Sequence, residues 1–212
     1  MATTGSLSAF DATAPKGAYQ VRLEVKAATT AQDKQRIAAE RLQAEVIKLN
    51  QQGAAAGQQM VEKAQQALAL WRELADRYWE ASTLNLIGSA YLSSRKYEQA
   101  IEYYNQALAI RRELKYRAGE GAVLGNLGNA YYRLSRYEKA IEYIEQALAI
   151  YREVKNRANE GSALNNLGEA YRNLSRYEKA IEYKVSVCWR SGKARKPWSP
   201  ASGQSLTSAR RG

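Results

Sequence analysis

The sequence predicts an all-α fold, a solenoid of antiparallel helix pairs, and three observations lead there. The chain repeats itself every forty residues: Gly88, Gly128 and Gly168, then Tyr91, Tyr131 and Tyr171, then Tyr97, Tyr137 and Tyr177, then Ala100, Ala140 and Ala180. A fixed period of this size marks stacked supersecondary units, each unable to bury its apolar face alone. Each unit also holds two stretches of helical periodicity separated by short polar breaks. Finally, Ala, Leu, Glu, Arg, Lys, Gln and Tyr dominate a 212-residue chain with only three prolines, a composition that favours helix.

Taken in order, residues 1–30 form an extended N-terminal segment. Within it "YQVRLEV" alternates Tyr19, Val21, Leu23 and Val25 as a strand does. A lone strand is not stable by itself, and this one has no partner strand in the sequence. Residues 31–75 make a divergent first unit. Ala38, Leu42, Val46 and Leu49 lie on one helical face, and Gly53 fits a C′ position. Two full units come next, at 81–114 and 121–154. In the second, Leu124, Leu127, Gly128 and Tyr131 share one face, and Ser135 in "RLSR" is placed to cap the next helix. Tyr137, Ala140, Ile141, Ile144, Ala147 and Leu148 form the second face. Gly128 and Ala140 are small where paired helices approach closely, and the tyrosine stripe reads as core.

The last unit, 161–183, breaks off. "SRYEKAIEYIEQALA" at Ser135 becomes "SRYEKAIEYKVSVCW" at Ser175. Leu164, Leu167 and Tyr171 should then be poorly covered, with fraying from about residue 160 and self-association through the incomplete unit. Residues 184–212 carry seven of the eleven net positive charges and no acid, leaving +4 on the rest. A basic tail can attract nucleic acid or anionic lipid non-specifically; its composition reads more simply as disorder. Shifted by one nucleotide, a permissible codon set for "RKPWSPASGQSL" encodes "GNRGAQHLGNL", close to a further unit, as an interrupted reading frame would give.

The composition excludes several function classes. Histidine is absent and Cys188 is the only cysteine, so the chain has no Ser-His-Asp or Cys-His catalysis, no His/Cys zinc site and no internal disulfide. Walker and GxGxxG patterns are missing. Glu98/Glu102, Glu138/Glu142 and Glu178/Glu182 resemble acid–base dyads, but they recur on every unit and read as a solvated face. The expectation is a non-enzyme with no cofactor, no metal, no specific nucleic-acid partner and no membrane span, resident in the cytoplasm.

The recurring "L-x-x-L-G-x-A-Y", "Y-x-x-A-I" and "Q-A-L" resemble the tetratricopeptide repeat in its forty-residue form. The resemblance implies a right-handed solenoid that binds a protein or peptide in a concave groove lined by the first helix of each unit. The face opposite the Leu-Gly-Tyr stripe would then look into the groove. It holds Asn85, Leu86, Ser89 and Ser93 in one unit, Gly125, Asn126, Asn129 and Arg133 in the next, and Asn165, Asn166, Glu169 and Asn173 in the last. Asn offers both donor and acceptor to a peptide main chain. Arg133, Glu169 and Arg172 would select charge, and Tyr132 would supply an aromatic contact. A solvated helix face is the plain alternative; several poor helix formers on one face favour use. The stretch "GAYQVRLEVKAATTAQDKQRIAAERLQAEV" and the repeats after it are also similar to large bacterial proteins, notably cyanobacterial ones. In those, such repeats precede a caspase-like CHAT protease domain. The resemblance implies that Tyr19–Val25 is the last strand of a domain the chain lacks, and an alternative role as the truncated remnant of a multidomain protease or signalling protein whose repeats recruit substrate or regulate a missing enzyme domain.

Overall fold

Eight helices succeed one another in the computed structural model, which describes residues 30–52 and 57–190, with side chains to residue 186. They are α1 (Ala31–Gln51), α2 (Gly57–Glu73), α3 (Arg77–Ser93), α4 (Tyr97–Glu113), α5 (Arg117–Arg133), α6 (Tyr137–Glu153), α7 (Arg157–Asn173) and α8 (Tyr177–Arg190). Each packs on its chain neighbours. Successive odd helices also touch one another, whereas among the described residues the even helices do not. The stack therefore curves with α1, α3, α5 and α7 on its inner side. The expected N-terminal strand and Gly53 lie outside the described residues.

The forty-residue period resolves into two equal steps. Helices α2 to α7 are all 17 residues long and are joined by three-residue turns. Every turn has its middle residue at positive φ: Ala75, Arg95, Lys115, Ser135, Lys155 and Ser175, between 53° and 60°. Each is a C′ residue in the left-handed region, and the residue after it closes a bond five back, as from Asp76 N–H to the Trp71 carbonyl at 2.9 Å. Ser135 is thus a helix terminator rather than the expected cap. Arg136 holds the N-cap position of α6 and makes no side-chain capping bond. True caps occur at Thr30, Asp76 and Asn156, whose side chains accept backbone N–H groups.

Between units the turns are riveted by a repeated ion cluster. Glu80 accepts from Arg72 Nε at 3.0 Å and Arg77 Nη1 at 2.5 Å, while Arg77 Nη2 reaches Glu113 at 2.6 Å. Glu120 repeats this with Arg112 and Arg117, the latter also holding Glu153, and Glu160 does so with Arg152 and Arg157. The three central glutamates are buried; each has two guanidinium partners, which buried carboxylates require.

The core runs unbroken from Val46 to Ala180. Within it Tyr91, Tyr131 and Tyr171 stack on Tyr103, Tyr143 and Tyr183, with ring centres 5.2–5.4 Å apart. Three expectations change. In α1 the buried face is Ala39, Gln43 and Val46, and Ala38 is exposed. The Gln43 side chain is buried because it accepts from the Thr83 hydroxyl at 2.8 Å. The last unit is better covered than its sequence promised: α8 continues through "KVSVCWR" to Arg190, and Leu164, Leu167 and Tyr171 are all buried. Lys184 explains this. It occupies the slot of Tyr104 and Ile144, its stem lies against Gly168, and its ammonium reaches the Glu169 carboxylate. Finally, 184–190 are helical rather than tail, and 191–212 lie outside the described residues.

Candidate functional site

The inner face of α3, α5 and α7 carries the predicted groove residues, but they differ in what they have left to offer. Asn126 Nδ2 donates to Asn85 Oδ1 at 2.9 Å, tying α5 to α3. The Ser89 hydroxyl lies 3.1 Å from the Asn85 carbonyl and 3.2 Å from the Tyr104 hydroxyl. Burial pushes the Tyr104 phenol up to about 12, against the opposing hydrogen bond from Ser89. Tyr132 accepts from Asn173 Nδ2 at 3.0 Å and packs edge-on to Tyr137. Glu169 is held by Lys184 and by Arg172, the latter at 2.5 Å. The Lys184 hydrogen bond keeps its carboxyl below the usual range. Asn85, Ser89, Tyr132, Glu169 and Arg172 thus spend part of their capacity inside the protein.

Asn129, Asn165 and Asn166 have no such side-chain partner, and Arg133 stands exposed. Asn126, Asn129 and Asn166 line a cavity of about 190 Å³ between α5 and α7, together with Gly125, Tyr151, Asn159 and Ser162. Its existence stems from one substitution in the repeat. The units carry Asn85, Gly125 and Asn165 at one position. With no side chain on Gly125, the Tyr151 hydroxyl moves in and donates to the Gly121 carbonyl at 2.9 Å. A Cβ on Gly125 would stand 2.8 Å from that hydroxyl. Tyr151, Asn159 and Ser162 were not singled out from the sequence. The signal was the break in the repeat at Gly125, with an aromatic thirty residues on from Gly121.

A larger depression of about 280 Å³ lies on α2 and α4, lined by Gln65, Leu68, Ala69, Arg72, Tyr103 and Gln106. It belongs to the outer side, and its two carboxamides, Gln65 and Gln106, come from different helices, α2 and α4. The glutamate pairs Glu98/Glu102, Glu138/Glu142 and Glu178/Glu182 are all exposed. Among the described residues no group of acidic or cysteine side chains could hold a metal ion, and no helix is long and apolar enough to cross a membrane.

Residues 55–113 and 120–185 match the family model for the tetratricopeptide repeat, more than half of the chain. The chain is a tetratricopeptide repeat protein. Tetratricopeptide repeats generally mediate protein–protein interactions, and the solved structures it resembles share its fold. Aspartyl phosphate phosphatase F from Bacillus subtilis is similar at 21% identity and a TM-score of 0.67, over 78% of this chain and 42% of that one. The TPR-like repeats of a putative kinesin light chain from Podosopora anserina are 18% identical, with a TM-score of 0.61, over 81% and 82% of the two chains. The TPR domain of Arabidopsis FLU is 23% identical, with a TM-score of 0.53, over 56% of this chain and 99% of its own. This tetratricopeptide repeat protein thus spans less than half of the phosphatase. Comparison with curated proteins gives no match.

Proposed function

We propose that this chain is a non-catalytic, cytoplasmic interaction scaffold that holds a partner peptide by its main chain in the groove of α3, α5 and α7. The observation that supports this most is the convergence of Asn129, Asn159 and Asn166 on one cavity with no side-chain partners of their own. Amides on a groove wall give each exposed peptide group a donor or acceptor whatever side chains the partner carries. Arg133 and Asn165, exposed beside them, extend the contact.

Peptides selected on the full chain from a random display library provide the test. Changing Asn129 and Asn166 together to alanine removes two hydrogen-bonding groups, each contributing about 1 kcal/mol. Affinity by titration calorimetry is then expected to fall roughly tenfold or more. Gly125→Asn restores the residue of the flanking units and fills the cavity, so it should weaken binding as much without altering either amide. Selected peptides that bind both variants like the parent would sink the reading.

A second reading rests on the sequence likeness of residues 17–74 to the junction in CHAT-type proteins. The same groove would then recruit substrate to a protease domain on a longer polypeptide.

A further inference from the structure

The cavity between α5 and α7 has a counterpart one unit earlier, and the two differ at a single place. In the earlier unit Asn85 of α3 carries a side chain there, and its Oδ1 accepts from Asn126 Nδ2 at 2.9 Å. One repeat on, Gly125 stands for Asn85 and Asn166 stands for Asn126. Asn166 thus repeats the donor, but glycine has no side chain to accept from it.

Three groups on the cavity wall already donate elsewhere. The Tyr151 hydroxyl donates to the Gly121 carbonyl at 2.9 Å, the Ser162 hydroxyl to the Ala158 carbonyl at 3.2 Å, and the Asn126 amide to Asn85. Tyr151 Oη, Ser162 Oγ and Asn126 Oδ1 are therefore left as acceptors. Burial holds the Tyr151 phenol above its usual pKa, so it stays neutral. The amides of Asn129, Asn159 and Asn166 supply donors on the same wall.

Among the described residues, none that lines the cavity is charged, and its apolar part is Ile144 and Ala163, both buried. A carboxylate brought here would set its lone pairs against three acceptors and leave water with no cation to meet it. An ammonium would find no anion. A carboxamide is neutral, carries two N–H donors beside one carbonyl, and has an aliphatic stem to lie on Ile144 and Ala163.

We propose that this cavity is a carboxamide subsite, in which a glutamine or asparagine side chain of the bound peptide takes the place that Asn85 fills one unit earlier. Its carbonyl accepts from Asn166 Nδ2, and its N–H groups donate to Tyr151 Oη and Ser162 Oγ. The break in the repeat at Gly125 thereby selects one side chain in a partner otherwise held by its main chain. That a peptide delivers the side chain rests on the function proposed above; the chemistry of the cavity does not.

Propionamide, the glutamine side chain without its main chain, probes the cavity alone. Titrated into the isotope-labelled full chain and followed by NMR, it should shift the Gly125 backbone and Asn166 side-chain amide signals. It should saturate at roughly 1–10 mM, as a fragment of this size does. Sodium propionate and propylammonium chloride, at matched ionic strength, should bind about tenfold more weakly or worse. Gly125→Asn supplies the carboxamide from within and should abolish the response. Tyr151→Phe keeps the ring and removes an acceptor, so it should weaken propionamide roughly threefold or more, while Gln65→Ala, on the outer side, should leave it unchanged. Peptides selected on the parent chain should share a glutamine or asparagine whose change to glutamate or aspartate lowers affinity about tenfold. The subsite is overturned by propionamide that binds no better than propionate, by propionamide that binds Gly125→Asn like the parent, or by selected peptides that need Asn166 but share no carboxamide. Propionamide binding as expected beside peptides indifferent to Asn129 and Asn166 overturns the groove reading instead, and the carboxamide site stands.

Discussion

Ile141→Ala is expected to cost about 2–5 kcal/mol, whereas Ile181→Ala, at the same place in the next unit, should change stability by no more than ~0.5 kcal/mol. The two side chains have the same sequence context, "YEKAIEY". They differ in the helix that covers them. Ile141 is 7% exposed because α7 packs over α6, and Ile101 is 9% exposed for the same reason under α5. Ile181 is 63% exposed, with Tyr177 at 60% and Val185 at 44% on the same helix. Urea unfolding of the two variants beside the parent measures the contrast directly. Equal losses would mean that something covers α8 in solution, such as a second copy of the chain. Sedimentation at rising concentration would then show that association.

Gly128→Ala should lower stability by about 1–3 kcal/mol despite the better helix propensity of alanine. Its Cβ would overlap Ile144 Cγ1 and stand 3.2 Å from the Ala140 carbonyl oxygen, both fixed in the middle of the stack. Gly168→Ala is the control. There the nearest atom is Lys184 Cγ at 3.1 Å, on a long side chain that can move aside. The expected loss is small, under about 1 kcal/mol, because the propensity gain offsets much of the contact. Thermal midpoints of the pair report the difference. If Gly168→Ala proves as damaging as Gly128→Ala, the close approach to the Ala180 carbonyl, at 3.3 Å, must dominate over the side chain.

The fold was legible because its signal is repeated: a small residue recurring at 88, 128 and 168 has one economical explanation, a close helix pair. Helical phase set the amides of each first helix on one face, and the resemblance to the repeat family turned that face toward the inner side. Phase could not show which groove residues pair with each other. Asn126 bonds to Asn85 and Asn173 to Tyr132, both forty-one residues apart rather than forty. That offset comes from the way successive inner helices lie against each other, a property of the stack and not of any unit. Ser135 misled for a related reason. A serine before a helix reads as a cap, but in a three-residue turn the cap position falls one residue later, at Arg136.

The twenty-residue beat of helix plus turn has a consequence for how such a chain can change in length. All six turns share one backbone form, so inserting or deleting twenty residues would leave every turn intact and every helix the right size. It would nevertheless reverse the parity of every later helix: those built to face inward would face outward. The amides of α7 would lose their shared cavity with α5, and the glutamate clusters would meet the wrong helix ends. A change of forty residues preserves inside and outside. Local geometry therefore tolerates half a repeat, while the division of labour between inner and outer helices permits only whole ones.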